Sequence, residues 1–311
     1  MTFQNLRIVF MGTPEFAVAS LDALLSAGCQ IVAVVTSPDQ PAGRGMKLSE
    51  SAVKKYAVLH QLKILQPEKL KSVEFLEELK SLQADLQIVI AFRMLPEVVW
   101  NMPHMGTINL HGSLLPKYRG AAPINWAIIN GESETGVTTF KLKHEIDTGN
   151  ILLQERFPIH KNETAGEVHD KMKEIGARVL LKTVRELIDG TLNEKLQTES
   201  KTKSDLRNAP KIFTENCKID FSKSAIEIHN LVRGLSPFPG AFSELGEKKL
   251  KIFKSEIEDV YHEKAIGTLE TDHKSYLKIA CLNGFILITE LQLEGKKRMK
   301  IEEFLRGFRN F

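Results

Sequence analysis

Asn109 and His111 are the residues of this chain whose types and spacing are best suited to chemistry. They stand two positions apart after a short β-branched segment, so on a β-strand both side chains point to one face. A loop rich in glycine and proline follows at residues 112–123. A transfer enzyme needs an amide and an imidazole of this kind near a carbonyl group, and an imidazole can act as a general acid or base near neutral pH.

An imidazole that moves protons also needs a carboxylate to orient it. The nearby acidic residues are Glu132, Glu134, Glu145 and Asp147. Asp147 is favoured because residues 146–149 form a predicted turn directly before the apolar segment 151–153. The residues alone leave the choice among the four carboxylates open.

Three loop segments could bind anions. Residues 12–16 follow the first predicted strand, but GxGxxG and GxxxxGK[ST] are both absent, which favours a simple strand-to-helix turn. The segment 37–47 places Arg44 between two glycines, where it can reach a phosphate or a base edge, and a flexible surface loop is the alternative. Arg119 could bind an anion or could hold its own loop in place through hydrogen bonds.

The first half of the chain alternates predicted strands and helices. Strands are predicted at 7–11, 31–35, 64–65, 86–92 and 107–110, and helices at 16–27, 50–62 and 73–82. The strands lack polar alternation, which indicates a parallel sheet covered on both faces. We therefore predict a Rossmann-like, doubly wound α/β domain, with ligands beyond the carboxyl ends of its strands. Asn109 and His111 lie at such an end.

The second half has a different pattern. A helix is predicted at 165–188, a polar linker at 190–208, and short strands at 250–253, 266–269, 276–280 and 285–293. Short strands separated by turn residues indicate a small β-barrel or sandwich. The predicted domains are therefore 1–189, 190–208 and 209–311. Lys296, Lys297 and Arg298 form a basic cluster that could contact phosphates or simply form a solvated face.

Composition excludes several classes of protein. A length of 311 residues predicts two domains, and 42% hydrophobic with 26% charged residues is typical of a globular protein. Three scattered cysteines without a CxxC motif predict neither a disulfide framework nor a metal site, and they indicate a reducing, cytoplasmic compartment. There is no signal-peptide pattern and no apolar run of ~18 residues, so no membrane association is expected.

The stretch 109–123, together with 146–149, resembles the formyltransferases that use 10-formyl-tetrahydrofolate. Their shared Asn, His and Asp fall on Asn109, His111 and Asp147. The runs SLLP at 113–116, YRG at 118–120 and AP at 122–123 are the most specific part of the match. MGTPEFA at 11–17, PAGRG at 41–45 and SPFPG at 236–240 narrow the resemblance to the methionyl-tRNA formyltransferase family, over nearly the whole chain.

This resemblance implies a Rossmann-like catalytic domain followed by an OB-like, tRNA-binding C-terminal domain. It implies transfer of a formyl group from 10-formyl-tetrahydrofolate to the α-amino group of methionyl-initiator-tRNA for translation initiation, without a metal, and we expect a monomer. The implied folate-binding residues are Ser113, Leu114, Leu115, Pro116, Phe92, Arg93 and Met94. The expected tRNA-binding residues are Arg44, Lys47, Lys296, Lys297 and Arg298.

Two segments depart from the family pattern. Near residues 91–96 the family has an aromatic residue followed by Gly and is one residue longer, so Arg93 occupies the Gly-like position. Before Asp147, residues 141–145 replace a more acidic run that contains Gly, and Asn150 stands where Asp is usual. An amino sugar-nucleotide formyltransferase would share the Asn, His and Asp, but the 41–45 loop and the second domain argue against it. The intact triad argues against an inert tRNA-binding module, and the missing GxGxxG against a dinucleotide-dependent oxidoreductase.

Overall fold

The computed structural model describes residues 2–42, 47–197 and 206–307. Contacts divide the chain into two compact units. Unit 1 consists of Met1–Arg119, Gly136–Phe157 and Asp170–Arg207, and unit 2 of Gly120–Thr135, Pro158–His169 and Asn208–Phe311. Unit 2 thus takes two segments from within the span 1–189 assigned to the first domain, and the predicted domain boundaries stay a prediction.

The elements up to residue 158 include most of the predicted strands and helices. In chain order they are β1 (Arg7–Gly12), α1 (Glu15–Ser26), β2 (Gln30–Val35), β3 (Gln40–Ala42), β4 (Lys47–Ser49), α2 (Ala52–Leu59), β5 (Ile64–Leu65), α3 (Val73–Ser81), β6 (Leu86–Ile90), α4 (Glu97–Trp100), β7 (Thr107–His111), β8 (Arg119–Gly120), α5 (Pro123–Ile129), β9 (Glu134–Lys141) and β10 (Ile151–Pro158).

The main sheet of unit 1 has the strand order β10-β9-β7-β6-β1-β2-β5. The strands from β7 to β5 pair in parallel, which confirms the Rossmann-like prediction. β9 pairs with β7 in the antiparallel direction, so the sheet is mixed at this side. The predicted strand 86–92 stops at Ile90, because Ala91 turns the chain with φ 47°.

Both faces of this sheet are covered by helices. On one face, Val9 and Met11 of β1 pack in a buried cluster with Phe75 of α3. On the other face, Leu110 of β7 lies against Gly176, within the long helix α6 (Ala165–Asp189). The central strands β1, β6 and β7 are buried along almost their whole length, as expected for strands covered on both faces.

Unit 2 contains the predicted smaller β-domain. Its further elements are β11 (Asn208–Ala209), a 3-10 turn (Thr214–Cys217), α7 (Ala225–Gly234), β12 (Ala241–Leu245), β13 (Lys248–Glu258), β14 (Leu269–Thr271), β15 (Leu277–Cys281), β16 (Gly284–Leu293), β17 (Met299–Lys300) and α8 (Ile301–Gly307). Strands β12 to β17 form one curled antiparallel sheet with the order β12-β13-β16-β15-β14, and β17 pairs with β16. The strand predicted at 266–269 begins only at Leu269, because Gly267 adopts φ 83° in a turn.

Helix α7 closes the core of unit 2 and also binds two segments that come from earlier in the chain. The Asn125 amide donates to the carbonyl oxygen of Gly234 at 2.7 Å. Arg233 donates to the carbonyl oxygen of Glu163 at 3.3 Å, and Nε2 of His229 lies 3.4 Å from the carbonyl oxygen of Lys161. The fold of unit 2 therefore depends on residues 120–135 and 158–169 as well as on the C-terminal sequence.

One residue of the predicted linker pairs with strand β10. Lys195 exchanges two backbone hydrogen bonds with Ile151, each of 2.8 Å. Across the described parts of the chain, no helix has both the length and the apolar character needed to cross a membrane.

Candidate active site

Asn109 and His111 lie at the carboxyl end of β7 and share a face, as their spacing predicts. Phe140 pairs with Asn109 across β7 and β9, and its ring meets the His111 imidazole edge-on, with the ring centroids 6.5 Å apart. Leu110, between them, points to the opposite face. The side-chain amide of Asn109 makes no hydrogen bond within the described residues, so its N–H groups are available to a ligand.

The His111 ring is held by the loop that follows its strand. Its Nε2 lies 2.8 Å from the carbonyl oxygen of Tyr118. A carbonyl oxygen can only accept a hydrogen bond, so Nε2 carries a proton and donates a hydrogen bond to the carbonyl oxygen of Tyr118. The other ring nitrogen, Nδ1, is therefore the one that remains for chemistry.

Asp147 lies beside that second nitrogen. Its Oδ2 is 3.9 Å from Nδ1 of His111, and only 8% of the His111 side chain and 14% of the Asp147 side chain are exposed. A gap of 3.9 Å is too long for a direct hydrogen bond, but one water molecule can bridge it or substrate binding can shorten it. Of the four candidate carboxylates, Asp147 is the one that pairs with His111.

The turn that carries Asp147 is held by backbone contacts. Asp147 itself has φ 54°, a left-handed conformation that is unusual for a residue with a side chain. Gly149 packs so tightly on β9 that an added Cβ would lie 1.6 Å from the carbonyl oxygen of Lys141. The Gln197 amide donates to the carbonyl oxygens of Asp147 at 2.9 Å and Gly149 at 2.7 Å.

The predicted folate segment 113–116 is anchored on β9. Thr138 Oγ1 donates to the carbonyl oxygen of Ser113 at 2.6 Å and accepts from the backbone N–H of Leu115 at 3.1 Å. The Ser113 hydroxyl donates within the loop, to the carbonyl oxygen of Lys117, and the Leu115 side chain is buried with Phe140. These two side chains shape the loop.

The other two residues of the predicted folate segment are partly accessible. Leu114 and Pro116 are both half-buried. They are therefore the members of the segment whose side chains a ligand can contact.

The second predicted folate segment follows β6, the neighbour of β7. Phe92 and Arg93 are half-buried, whereas Met94 is 73% exposed. The Arg93 guanidinium donates to the carbonyl oxygens of Pro67 and, at 2.8 Å, Glu68. Burial lowers the pKa of Arg93. The Arg93 head group thus holds its own segment against the 67–68 turn.

The structure places the predicted tRNA residues unevenly. Arg44 and the side chain of Lys47 lie outside the described residues. Lys296 and Lys297 are exposed, and Lys297 lies 3.2 Å from Glu303. The Arg298 guanidinium makes two hydrogen bonds to Glu290, of 2.6 and 2.8 Å, so it is already paired within the protein.

Within residues 2–42, 47–197 and 206–307, no group of three or more His, Cys, Asp or Glu side chains is arranged to hold a metal ion. The expected independence from metal stays a prediction.

Comparisons with known proteins agree with this geometry. The family model described as "Formyl transferase" matches residues 6–184, and "Formyl transferase, C-terminal domain" matches residues 211–309. A methionyl-tRNA formyltransferase of Bacteroides fragilis is 53% identical over 313 residues, covering 99% of this chain and 97% of the relative. The chain belongs to the methionyl-tRNA formyltransferase family.

Other relatives support that membership. A methionyl-tRNA formyltransferase of Parabacteroides distasonis is 54% identical, covering 99% of this chain and 98% of the relative. Among solved structures, an N-formyltransferase from Helicobacter canadensis in complex with folinic acid and dTDP-3-aminofucose aligns with a TM-score of 0.68. At 23% identity, over 94% of this chain and all of that one, it supports the fold.

Sequence reasoning missed three residues that shape this formyltransferase site. Thr138, Gln154 and Gln197 fix the two loops around His111, and Gln154 donates to both Leu115 and Thr138 at 2.9 Å. Thr138 and Gln154 lie on β9 and β10, two strands the sequence reading did not predict, and Gln197 lies in the predicted linker. A single Gln in a polar segment carries no local signal of such a role.

Proposed function

We propose that this protein transfers the formyl group of 10-formyl-tetrahydrofolate to the α-amino group of methionyl-initiator-tRNA, which prepares formylmethionyl-tRNA for translation initiation. The observation that carries the proposal is the meeting of Asn109, His111 and Asp147 at the carboxyl edge of the sheet. The acceptor is inferred from the family, whose members match this chain over nearly its full length.

The first step is attack of the neutral amine on the formyl carbon, which forms a C–N bond and leaves negative charge on the formyl oxygen. The Asn109 amide donates a hydrogen bond to this oxygen. In its doubly protonated form, His111 donates from Nδ1, because its Nε2 is already bound to Tyr118. Each good donor of this kind contributes about 3–4 kcal/mol to the transition state.

The second step moves one proton and breaks one bond. Asp147 stabilises the positive charge of His111 and accepts the proton of the attacking amine through a water molecule. That proton then passes to N10 of the folate as the bond between N10 and the formyl carbon breaks. The products are the formylated amine and tetrahydrofolate, with no net gain or loss of protons.

Substrate binding is assigned to the loops around this centre. The segments 113–116 and 92–94 lie at the ends of β7 and β6, and we assign them to the folate donor. Arg44, Lys47 and the exposed Lys296–Lys297 pair are assigned to the phosphates of the tRNA, with Arg298 contributing only if Glu290 releases it. The reaction requires no metal, and its substrate places the protein in the cytoplasm, where we expect a monomer.

The decisive experiment supplies both substrates. The protein is incubated with 10-formyl-tetrahydrofolate and methionine-charged initiator tRNA, and formylmethionine is measured after deacylation. Asn109→Ala, His111→Ala and Asp147→Ala should each lower kcat by roughly 10²-fold or more with the fold retained. Near-normal turnover by the His111→Ala protein contradicts the mechanism.

An acceptor control separates this function from its alternative. The same protein is incubated with the folate donor and an amino sugar-nucleotide. Formylation of the tRNA but not of the sugar supports the proposal. The reverse result assigns the chain to sugar-nucleotide formylation, in which Asn109, His111 and Asp147 keep their roles.

A further inference from the structure

The turn that carries Asp147 is tied to the 194–197 segment, which the sequence assigns to a linker. Gln197 Nε2 donates to the carbonyl oxygens of Asp147 and Gly149, at 2.9 and 2.7 Å. Its Oε1 accepts from Nε and Nη2 of Arg119, at 3.2 and 2.6 Å. Both ends of this one amide are therefore fully used, and all four residues belong to unit 1.

Asp147 needs this support because of its backbone conformation. At φ 54° it lies in the left-handed region, where a residue with a Cβ is strained unless its surroundings hold it. Gln197 bonds the carbonyl oxygen of Asp147 itself and that of the residue two positions later. These bonds fix the peptide planes on both sides of the turn, and so the direction in which the carboxylate points.

The same contacts connect Asp147 to His111 along a second route. Nε2 of His111 donates to the carbonyl oxygen of Tyr118, and the next residue is Arg119. Arg119 binds Gln197, and Gln197 binds the backbone of Asp147. The path closes where Oδ2 of Asp147 faces Nδ1 of His111 at 3.9 Å. A change at Gln197 therefore alters the distance between Oδ2 of Asp147 and Nδ1 of His111, on which proton transfer depends.

Neighbouring residues of the segment hold the rest of the turn. Glu194 accepts hydrogen bonds from Lys141 at 2.5 Å and from the Asn150 amide at 2.9 Å, on either side of residues 142–149. The Lys141 ammonium and the Asn150 amide hold the pKa of Glu194 below its ordinary value. Asn150 can donate to a carboxylate here because its side-chain amide carries N–H groups.

We propose that Gln197 is a positioning residue for formyl transfer, with Arg119 as its partner. Gln197 fixes the Asp147 carboxylate against His111 without touching a substrate. This inference rests on the proposed function, because it concerns the geometry of that same reaction. Arg119 accordingly acts within the protein and is not an anion ligand.

The test compares two substitutions of one residue. Gln197→Ala removes every hydrogen bond of the amide. Gln197→Glu keeps the acceptor for Arg119 but removes both N–H donors and places oxygen against the carbonyl groups of Asp147 and Gly149. Each variant should lower kcat between about 10- and 100-fold, with KM for the folate and for the tRNA within about twofold of wild type. A Gln197→Glu protein with wild-type kcat overturns the proposal.

The partner role is tested by coupling. Arg119→Ala should lower kcat to a similar extent, and Arg119→Ala with Gln197→Ala should be no worse than the more damaging single change, because both act through one amide. Losses that multiply overturn the coupling. Should a Gln197 variant fail to fold by circular dichroism, Arg119→Ala decides the matter alone, and a wild-type kcat there refutes the proposal.

Two controls separate this result from others. Asn125→Ala removes a half-buried side-chain amide that donates to a backbone carbonyl in unit 2, and its kcat should match wild type. A comparable loss in Asn125→Ala would mean that any weakened amide slows the enzyme, which contradicts a positioning role. A wild-type protein that forms no formylmethionyl-tRNA refutes the proposed function instead, whatever the variants do.

Discussion

Gly149→Ala is expected to disable the reaction by moving the Asp147 turn. The Cβ of an alanine here would lie 1.6 Å from the carbonyl oxygen of Lys141 and 3.2 Å from the Phe140 ring. The first contact is with backbone at the end of β9, which cannot rotate away as a side chain can. Residues 147–149 must therefore move outward from the sheet.

The size of that movement follows from the contact distance. Real Cβ atoms approach other heavy atoms no closer than 3.0 Å, so the turn must shift by about 1.4 Å. His111 and Asp147 are already 3.9 Å apart, and the shift lengthens or misdirects that gap. A misplacement of about 1 Å in a reacting group costs on the order of 10²-fold in rate. We expect kcat to fall by at least this factor.

The assay is single-turnover formylation of charged initiator tRNA at saturating folate, which isolates the chemical step. Gly307→Ala is the matched control, because among the described residues no atom outside its own helix lies within 4 Å of the added Cβ, and its rate should equal wild type. Circular dichroism and urea unfolding establish that both proteins are folded. A folded Gly149→Ala protein with wild-type single-turnover rate refutes the argument that this close approach places Asp147.

Three further predictions concern stability and binding. Phe140→Ala should lower the free energy of unfolding by about 3–5 kcal/mol in urea titrations, since the ring is fully buried with Leu115, and a loss below that of Phe140→Leu would contradict this. Glu194→Gln should lower the melting temperature at pH 7. Because the pKa of Glu194 is lowered in the folded protein, its carboxylate stabilises the fold at pH values above the ordinary pKa of glutamate. This stabilisation is lost as pH falls through the pKa of the folded protein, so the melting temperatures of wild type and variant should converge in acid. Replacing both Lys296 and Lys297 by Ala should make the slope of log affinity for tRNA against log salt shallower by roughly one unit per lost phosphate contact, as measured by filter binding, whereas an unchanged slope would assign the pair to a solvated face.

The strands that form the centre of unit 1 were predictable because their signal is local. β1, β2 and β6 are short, mostly apolar runs, as expected for strands that are buried on both faces. β9 was missed because Gly136, Thr138 and Thr139 dilute its hydrophobic pattern, although six of its eight residues are buried in the fold. Its burial is decided by tertiary contacts, which composition does not encode.

Helix α7 was missed although its sequence carried a usable signal. Ser224 and Glu227 have the S-x-x-E spacing of a capping box, and the structure shows both of its hydrogen bonds. The pattern of apolar residues that follows, Ile228, Leu231 and Val232, has helical spacing. Applying the capping rule to residues 209–311 would have predicted this helix.

The residues of the candidate site also differ in how far they could be predicted from the sequence. Asn109 and His111 could be paired from sequence because the period of a strand sets which side chains share a face. Asp147 was only the favoured one of four carboxylates, because a turn has no such period. Gln197 was beyond prediction, because its partners are backbone carbonyl groups of residues about fifty positions away. Unlike a helix cap, a hydrogen bond to backbone that is distant in sequence leaves no local sequence pattern.

The interleaving of the two units limits how this architecture can be inherited. A gene fragment that encodes only residues 208–311 would deliver α7 without α5 and without residues 158–169. The carbonyl oxygen of Gly234 and the side chains of His229 and Arg233 would then each lose one hydrogen-bond partner of the intact chain. Recombination at a single junction therefore could not transfer the whole of unit 2 to an unrelated enzyme. A working transplant has to carry the 120–135 and 158–169 segments as well, so the two units are expected to diversify together.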